Sequence, residues 1–295
     1  MDLIVSRSSD LGKTWSKPQM IHGGFKYACG NPCPIVDRDN GTVWLLFARN
    51  NNKQIMVTHS KDDGVTWAEP KAVTEESKPE EKNGWQATGP NQGIQLTSGR
   101  LLAPANAGGR SFCFYSDDHG TTWKRGEPID TPSSECVAVE LMDGSVVLNV
   151  RDKRQRKEIK SRAYAISKDG GQTWSKAEIH PQLLGPECNH CQVRLSDEKQ
   201  HDKNRLLHSG PMGPDGRKNL ALYLSYDEAK TWQQTKVVHS GRDVSYTGLV
   251  VLPDQSIGML YATNSTGWQS IWFARFTLEW LTDGKDRVVP GDAKK

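Results

Sequence analysis

The chain has 295 residues, 35% of them hydrophobic, and a formal net charge of +3 at pH 7. No run approaches the ~20 consecutive apolar residues of a membrane-spanning helix, and the first residues show no signal-peptide pattern. The basic residues are dispersed, so the sequence does not indicate nucleic-acid binding, whereas a weakly positive chain suits an anionic ligand.

One short motif recurs from the first residues onward. It reads S-x-D-x-G-x-T-W at residues 8–15 and returns at four more places, 60–67, 116–123, 167–174 and 225–232. Ala229 replaces the glycine in the last copy. Subtracting the tryptophan positions (15, 67, 123, 174 and 232) gives spacings of 52, 56, 51 and 58 residues. Such a period is typical of propeller blades or solenoid repeats.

Each copy follows a stretch of alternating apolar and polar residues and precedes another short extended stretch. This pattern predicts a turn between two strands. Its Asp, Ser and Thr side chains suit hydrogen bonds to nearby backbone amides. Further alternating stretches lie between the copies, giving about four strands per repeat and almost no helix. The prediction is an all-β fold, a propeller of four-stranded blades.

The turns resemble the Asp-boxes of sialidases, which lie between the third and fourth strands of a blade. On this resemblance, residues 1–24 supply only the last two strands of a first blade. Four full blades then extend to about residue 240, and a last blade ends near Leu281. We therefore expect one domain over residues 1–281, a six-bladed propeller whose first blade is incomplete, followed by a polar tail over 282–295.

Four segments fall where inner strands of successive blades begin. Glu135 precedes a strand whose hairpin partner ends at Arg151, so these two side chains are expected to lie close together. Arg217 begins the strand before the fifth turn, and Tyr246 begins the inner strand of the last blade. The Gly/Pro-rich stretch 84–96 either shapes a pocket or forms a tight loop. Taken singly, the four side chains are more typical of surface or core residues than of a site.

Together these segments are similar to the exo-α-sialidases (neuraminidases), over essentially all of residues 1–281. The resemblance is carried by ELMDGSVVLNVR at 140–151, NLALYLS at 219–225 and SYTGL at 245–249. It implies hydrolysis of terminal sialic acid from glycoconjugates with retention, without a metal or cofactor. It implies four roles: Tyr246 as nucleophile, Glu135 as its base, and Arg151 and Arg217 as ligands of the substrate carboxylate. The expected partners are sialylated glycans.

The chemistry of sialic acid suits these residue types. Its carboxylate is attached to the anomeric carbon, and arginine binds a carboxylate through two parallel hydrogen bonds. A carboxylate nucleophile would be repelled there, whereas a neutral phenol is not. A phenol with a pKa of about 10 is a weak nucleophile at pH 7, so an adjacent base is needed. Sialidases with a tyrosine nucleophile are a known exception among glycosidases.

The sequence departs from the family at three points. No residue matches the family's first arginine. None matches its acid/base aspartate either, because Asp2 lies too close to the first strand to align with it. Tyr261-Ala262 stands where the family usually has Tyr-Glu. We therefore expect a truncated start and reduced activity, since acid–base assistance is worth roughly 10²- to 10⁴-fold. Two alternatives stay open, a non-catalytic sialoside-binding propeller and an Asp-box propeller with an interaction role.

The six cysteines do not define a disulfide scaffold in a chain of this length. Cys188 and Cys191 have the spacing of a metal-binding pair, but no second pair follows at the distance of a zinc site. Plain thiols are therefore favoured, with a disulfide or a zinc site as alternatives.

Overall fold

The computed structural model describes residues 1–23, 28–73, 84–154, 160–213, 215–264 and 270–291. The end of the expected polar tail, residues 292–295, lies outside these ranges. The described elements are β1 (Leu3–Val5), β2 (Gln19–His22), β3 (Gly30–Asp37), β4 (Thr42–Arg49), β5 (Gln54–Ser60), β6 (Lys71–Ala72), β7 (Gln86–Thr88), β8 (Ile94–Gln95), β9 (Leu101–Ala107), β10 (Arg110–Ser116), β11 (Lys124–Arg125), β12 (Ser133–Glu140), β13 (Val146–Asp152), β14 (Ser161–Ser167), β15 (Glu178–Leu184), β16 (Cys191–Ser196), β17 (Arg205–Pro211), β18 (Lys218–Ser225), β19 (Gln234–Arg242), β20 (Val244–Val251), β21 (Ile257–Thr263), β22 (Ser270–Phe276) and the helix α1 (Leu278–Leu281).

The strands form consecutive antiparallel sheets, as predicted for an all-β propeller. Three sheets have four strands each, β3–β6, β12–β15 and β16–β19. The sheet β7–β11 has five, because β8 pairs with β9 beside β7, and β20–β22 has three. These five sheets have the size of propeller blades. A separate two-stranded sheet consists of β1 and β2.

The two-stranded sheet touches both ends of the series of blades. Leu3 of β1 packs in a cluster with Leu45 and Phe47 of β4. Trp15, in the turn between β1 and β2, meets Phe273 of β22 edge to face, with ring centroids 5.3 Å apart. The small sheet therefore lies between the blade β3–β6 and the blade β20–β22.

The core lies between adjacent blades. Strands β9 and β17 are buried at every residue, which explains why neither sequence alternates between apolar and polar residues. β17 also buries Arg205 and His208. Side chains of β4 and β5 pack in one cluster with those of β9 and β10, including Leu46, Ile55, Leu101 and Phe112. Blade-on-blade packing of this kind holds the ends of the inner strands in place.

The five repeated turns share one hydrogen-bond pattern. In each, the Asp carboxylate accepts bonds from the Ser hydroxyl two residues before it and from the Thr amide and hydroxyl four residues after it. The Ser hydroxyl accepts the amide N–H four residues on, at 2.8–3.0 Å. That fourth residue has a positive φ, 83° at Gly12 and 62° at Ala229, which explains the preference for glycine.

The residues after α1 return to the blade β16–β19. The Asp286 carboxylate accepts hydrogen bonds from the fully buried Arg205 at 2.8 Å and from the Tyr226 hydroxyl at 2.8 Å. This part of the polar C-terminal segment is therefore fixed against a blade. The described part of the chain contains no helix that is long and apolar enough to cross a membrane.

Candidate functional site

The candidate site lies where the inner strands of several blades begin. Strands β12, β16 and β20 are the first strands of successive blades, and β12 and β20 each contact β16. The Asn91 side-chain amide donates to the carbonyls of His190 at 3.0 Å and Thr247 at 3.1 Å. The stretch 84–96 is thus a closely packed junction that joins the starts of β16 and β20 to the blade β7–β11.

Glu135 and Tyr246 meet across this junction although 111 residues separate them. The Tyr246 hydroxyl donates a hydrogen bond to Oε1 of Glu135. Nη1 of Arg151 donates to the other carboxylate oxygen, Oε2, at 2.9 Å. The β12–β13 pairing shifts register between Ser133 and Cys136, and such a bulge re-aims side chains next to functional sites. The expected proximity of Glu135 and Arg151 is confirmed.

The environment keeps the Tyr246 phenol protonated at neutral pH. Burial and the hydrogen bond to the Glu135 carboxylate raise the pKa of Tyr246 to about 12, against the opposing effect of the Arg217 cation. Only 13% of the Glu135 side chain is exposed. A neutral hydroxyl therefore points at a nearly buried carboxylate, which is the arrangement that lets the oxygen lose its proton as it attacks.

Arg151 lies on the other side of Glu135. Its Nη2 donates to the side-chain carboxylate of Glu187. Burial by itself lowers the pKa of Arg151, but the hydrogen bonds from its guanidinium to Glu187 and Glu135 outweigh that effect and raise the pKa. Arg151 is therefore a firmly held cation at the site.

Arg217 approaches from the blade β16–β19, just before β18. Its Nε and Nη2 donate to the backbone carbonyl of Glu187 at 3.2 and 2.9 Å, and its Nη1 donates to the Ser245 hydroxyl at 2.9 Å. Its guanidinium carbon lies 5.4 Å from the centroid of the Tyr246 ring. All four residues that the sequence predicts for the site thus lie together.

Sequence reasoning missed two other residues of this region. Glu187 precedes β16 and carries no pattern that distinguishes it from a surface glutamate. Arg162 of β14 is only 1% exposed, and it donates to the Asn149 side chain at 2.7 Å and to the Cys188 carbonyl at 2.9 Å. Burial lowers the pKa of Arg162 to about 10. A charged residue inside the apolar stretch SRAYAIS was the signal that could have identified it.

All six cysteines, including Cys188 and Cys191, are free thiols and buried. Among the residues described, one group has ligand atoms within 4.8 Å of one another: Asp37, Asp39 and His119. Asp37 ends β3, whereas the candidate site lies at the starts of the inner strands. The side-chain nitrogen of Gln95 donates to the carboxylates of Asp37 and Asp39, at 3.0 and 2.9 Å, so these two side chains already share a hydrogen-bond donor of the protein.

Known proteins resemble this chain over most of its length. The family model of the BNR repeat-like domain matches residues 1–261. A sialidase of Micromonospora viridifaciens is 31% identical over 95% of this chain and 47% of that protein. A sialidase of Bacteroides fragilis (strain YCH46) is 30% identical over 90% of this chain and 54% of that protein. The chain therefore spans about half the length of these two relatives.

Solved structures show the same similarity. The Hadza microbial sialidase Hz136 superposes with a TM-score of 0.82 at 27% identity, over 95% of this chain and 60% of that one. The intramolecular trans-sialidase from Ruminococcus gnavus, in complex with oseltamivir carboxylate, superposes with a TM-score of 0.78 at 18% identity, over 94% of this chain and 88% of that one. At that lower identity the likeness concerns the fold alone.

Proposed function

The chain belongs to the sialidase family, and on that premise we propose that it is an exo-α-sialidase that hydrolyses terminal sialic acid from glycoconjugates. One observation supports this most directly. The Tyr246 hydroxyl and the Arg151 guanidinium bind the two oxygens of the same Glu135 carboxylate. A phenol, its base and a cation are thus assembled within hydrogen-bond reach.

The proposed reaction proceeds in two displacements. The Tyr246 oxygen attacks the anomeric carbon and its proton passes to Glu135, while the bond from that carbon to the aglycone oxygen breaks. The aglycone leaves as an anion that takes a proton from solvent, and a sialyl-tyrosine remains. Water then attacks the same carbon and releases a proton to solvent, the bond from that carbon to the Tyr246 oxygen breaks, and Glu135 returns its proton to Tyr246. The configuration is retained after two inversions.

The two arginines hold the substrate carboxylate in this proposal. Both guanidinium groups contact Glu187, Arg151 at its side-chain carboxylate and Arg217 at its backbone carbonyl, so the two cations lie on either side of one residue. Planar guanidinium groups bind carboxylates through paired, charge-assisted hydrogen bonds. Binding of this kind would orient the anomeric carbon toward Tyr246.

For the architecture, the proposal is a single domain over residues 1–281 with six blade positions. The two-stranded sheet β1–β2 takes the position between the blades β3–β6 and β20–β22. Its contacts to Phe47 on one side and Phe273 on the other support this assignment.

The test is hydrolysis of an aryl α-sialoside and of sialyllactose by the full chain, by Tyr246→Phe and by the control Tyr164→Phe. The Tyr164 hydroxyl contacts Glu178 on β15 instead of Glu135. We expect the chain and the control to cleave the aryl substrate and Tyr246→Phe to be inactive. Sialyllactose should be cleaved far more slowly, because its poorer leaving group needs protonation and no residue matches the family's acid.

Three results would contradict the proposal. Folded protein that cleaves neither substrate is not a sialidase, and if it still binds sialic acid it is a binding protein. Folded protein that neither cleaves nor binds sialosides favours an interaction role. Equal cleavage by the chain and by Tyr246→Phe would exclude the tyrosine as nucleophile.

A further inference from the structure

The place proposed for the substrate carboxylate is already occupied by Glu187. Its side-chain carboxylate accepts a hydrogen bond from Nη2 of Arg151, and its backbone carbonyl accepts two from Arg217. The Glu187 side chain therefore makes the contact to Arg151 that an anionic ligand would make.

The backbone around Glu187 is fixed, but its side chain is not enclosed. The Cys188 carbonyl accepts from the buried Arg162 at 2.9 Å, and the Asn189 side chain donates to the Pro90 carbonyl at 2.8 Å. The Glu187 side chain is 48% exposed. Rotation of this side chain into solvent would release Arg151 without moving the backbone.

Arg151 is also incompletely paired in this arrangement. Its Nη1 and Nη2 donate to Glu135 and Glu187, whereas its Nε is buried and has no hydrogen-bond partner. Nε and Nη2 form one edge of the guanidinium group, the edge that binds a carboxylate through two parallel bonds. A ligand carboxylate on this edge would satisfy both donors, whereas Glu187 satisfies one.

We propose that Glu187 is an internal competitor of the substrate, a carboxylate that occupies Arg151 until the carboxylate of a sialic acid displaces it. This inference rests on the proposed function, because it takes the Arg151–Arg217 pair as the site of the substrate carboxylate. Glu187 thereby sets the affinity for anionic sugars. It excludes ligands without a carboxylate, because such a ligand would break the Glu187–Arg151 bond without forming the two bonds that a carboxylate forms with Arg151.

The test is the affinity of the full chain for N-acetylneuraminic acid, measured by calorimetry for the unmodified chain, Glu187→Gln and Glu187→Ala. Both substitutions remove the competing charge, and a neutral acceptor holds a cation less strongly than a carboxylate does. We expect about tenfold tighter binding, which corresponds to a difference of about 1.4 kcal/mol. With an aryl α-sialoside, KM should fall by a similar factor while kcat stays within about twofold.

Two controls isolate the effect. Glu178→Gln removes a carboxylate that contacts Tyr164 rather than an arginine of the site, and it should leave the affinity unchanged. The methyl ester of the same sugar lacks the charge that competes with Glu187, so the ratio of its affinity to that of the free acid should fall in both Glu187 variants.

The outcomes separate this inference from the proposed function. If the unmodified chain binds the sugar and the Glu187 variants bind it equally or more weakly, Glu187 is not a competitor. Weaker binding would instead make Glu187 a residue that supports the substrate. If folded chain and variants all fail to bind the sugar, the proposed function fails and this inference fails with it.

Discussion

Carboxylates are used in opposite ways in two regions of this molecule, the five repeated turns and the site at the starts of the inner strands. In the turns the hydrogen-bond partners of the carboxylate lie within four residues of it: hydrogen bonds from Thr14 and Ser8 lower the pKa of Asp10 to about 2. In the site, Glu135 contacts Arg151, 16 residues away, and Tyr246, 111 residues away. Local pairs stabilise a turn, whereas long-range pairs assemble reactive groups from different blades.

The largest effect should follow from Glu135→Gln. This change keeps the shape but removes the base for Tyr246, so kcat on an aryl α-sialoside should fall by about 10²- to 10⁴-fold. Glu140→Gln is the matched control, because Glu140 ends the same strand and contacts Thr97 instead of the site. A loss of less than threefold in Glu135→Gln, measured by steady-state kinetics, would show that the contact with Tyr246 is only structural.

Arg151→Lys should have the next largest effect. Lysine keeps the charge but lacks the planar pair of donors, so kcat/KM should fall by about 30-fold or more, the lower limit for disrupting a buried charge pair. The control is Arg194→Lys, at a pair with Glu228 away from the site. Equal kinetics for the two variants would contradict a role of Arg151 in binding the substrate.

A smaller effect, on stability, concerns the buried histidines beneath the site. His190 Nδ1 and His208 Nε2 lie 2.9 Å apart, and burial, with the Arg162 cation nearby, lowers the pKa of both well below the usual value. His180 also acts on His208, and the Tyr223 ring lies 5.5 Å from the His208 ring.

Because the folded-state pKa values are depressed, these histidines contribute stability that is complete above about pH 6.5. The unfolding free energy should then fall by up to about 1.4 kcal/mol per histidine for each pH unit below that. The turn aspartates, with pKa values lowered to about 2 in Asp10 and Asp62, should add losses only below about pH 4. Urea unfolding at pH 7, 6 and 5 tests this. A flat profile between pH 7 and 5 would contradict it.

The smallest effect is expected from Asp62→Ala in the second turn. The substitution removes the hydrogen bonds from Ser60 and Thr66 to the carboxylate. Because that carboxylate is exposed, water takes its place as the hydrogen-bond acceptor. The unfolding midpoint should fall by only a few degrees and kcat should not change, with Lys61→Ala as a neighbouring control. A large loss of activity would erase the distinction between the turns and the site.

The same distinction explains how much the sequence predicts. The turns and blades follow from local signals, namely a repeated motif and alternating strands, and the Glu135–Arg151 contact follows from one hairpin. The Tyr246–Glu135 contact joins different blades, so only the resemblance to a family predicted it. Glu187 was not recognised, because its contacts to Arg151 and Arg217 depend on how two blades meet and no local pattern encodes that.

The most direct test of the account is to trap the reaction intermediate. A sialosyl fluoride with a second fluorine at carbon 3 should sialylate the enzyme, with the anomeric fluoride as the leaving group. The sialyl-enzyme should then hydrolyse slowly, because the fluorine next to the anomeric carbon destabilises the positively charged transition state. The account predicts one added sugar per chain by mass spectrometry, on the peptide that carries Tyr246, and none on Tyr246→Phe. An adduct on Glu135, or no adduct on folded chain, would contradict it.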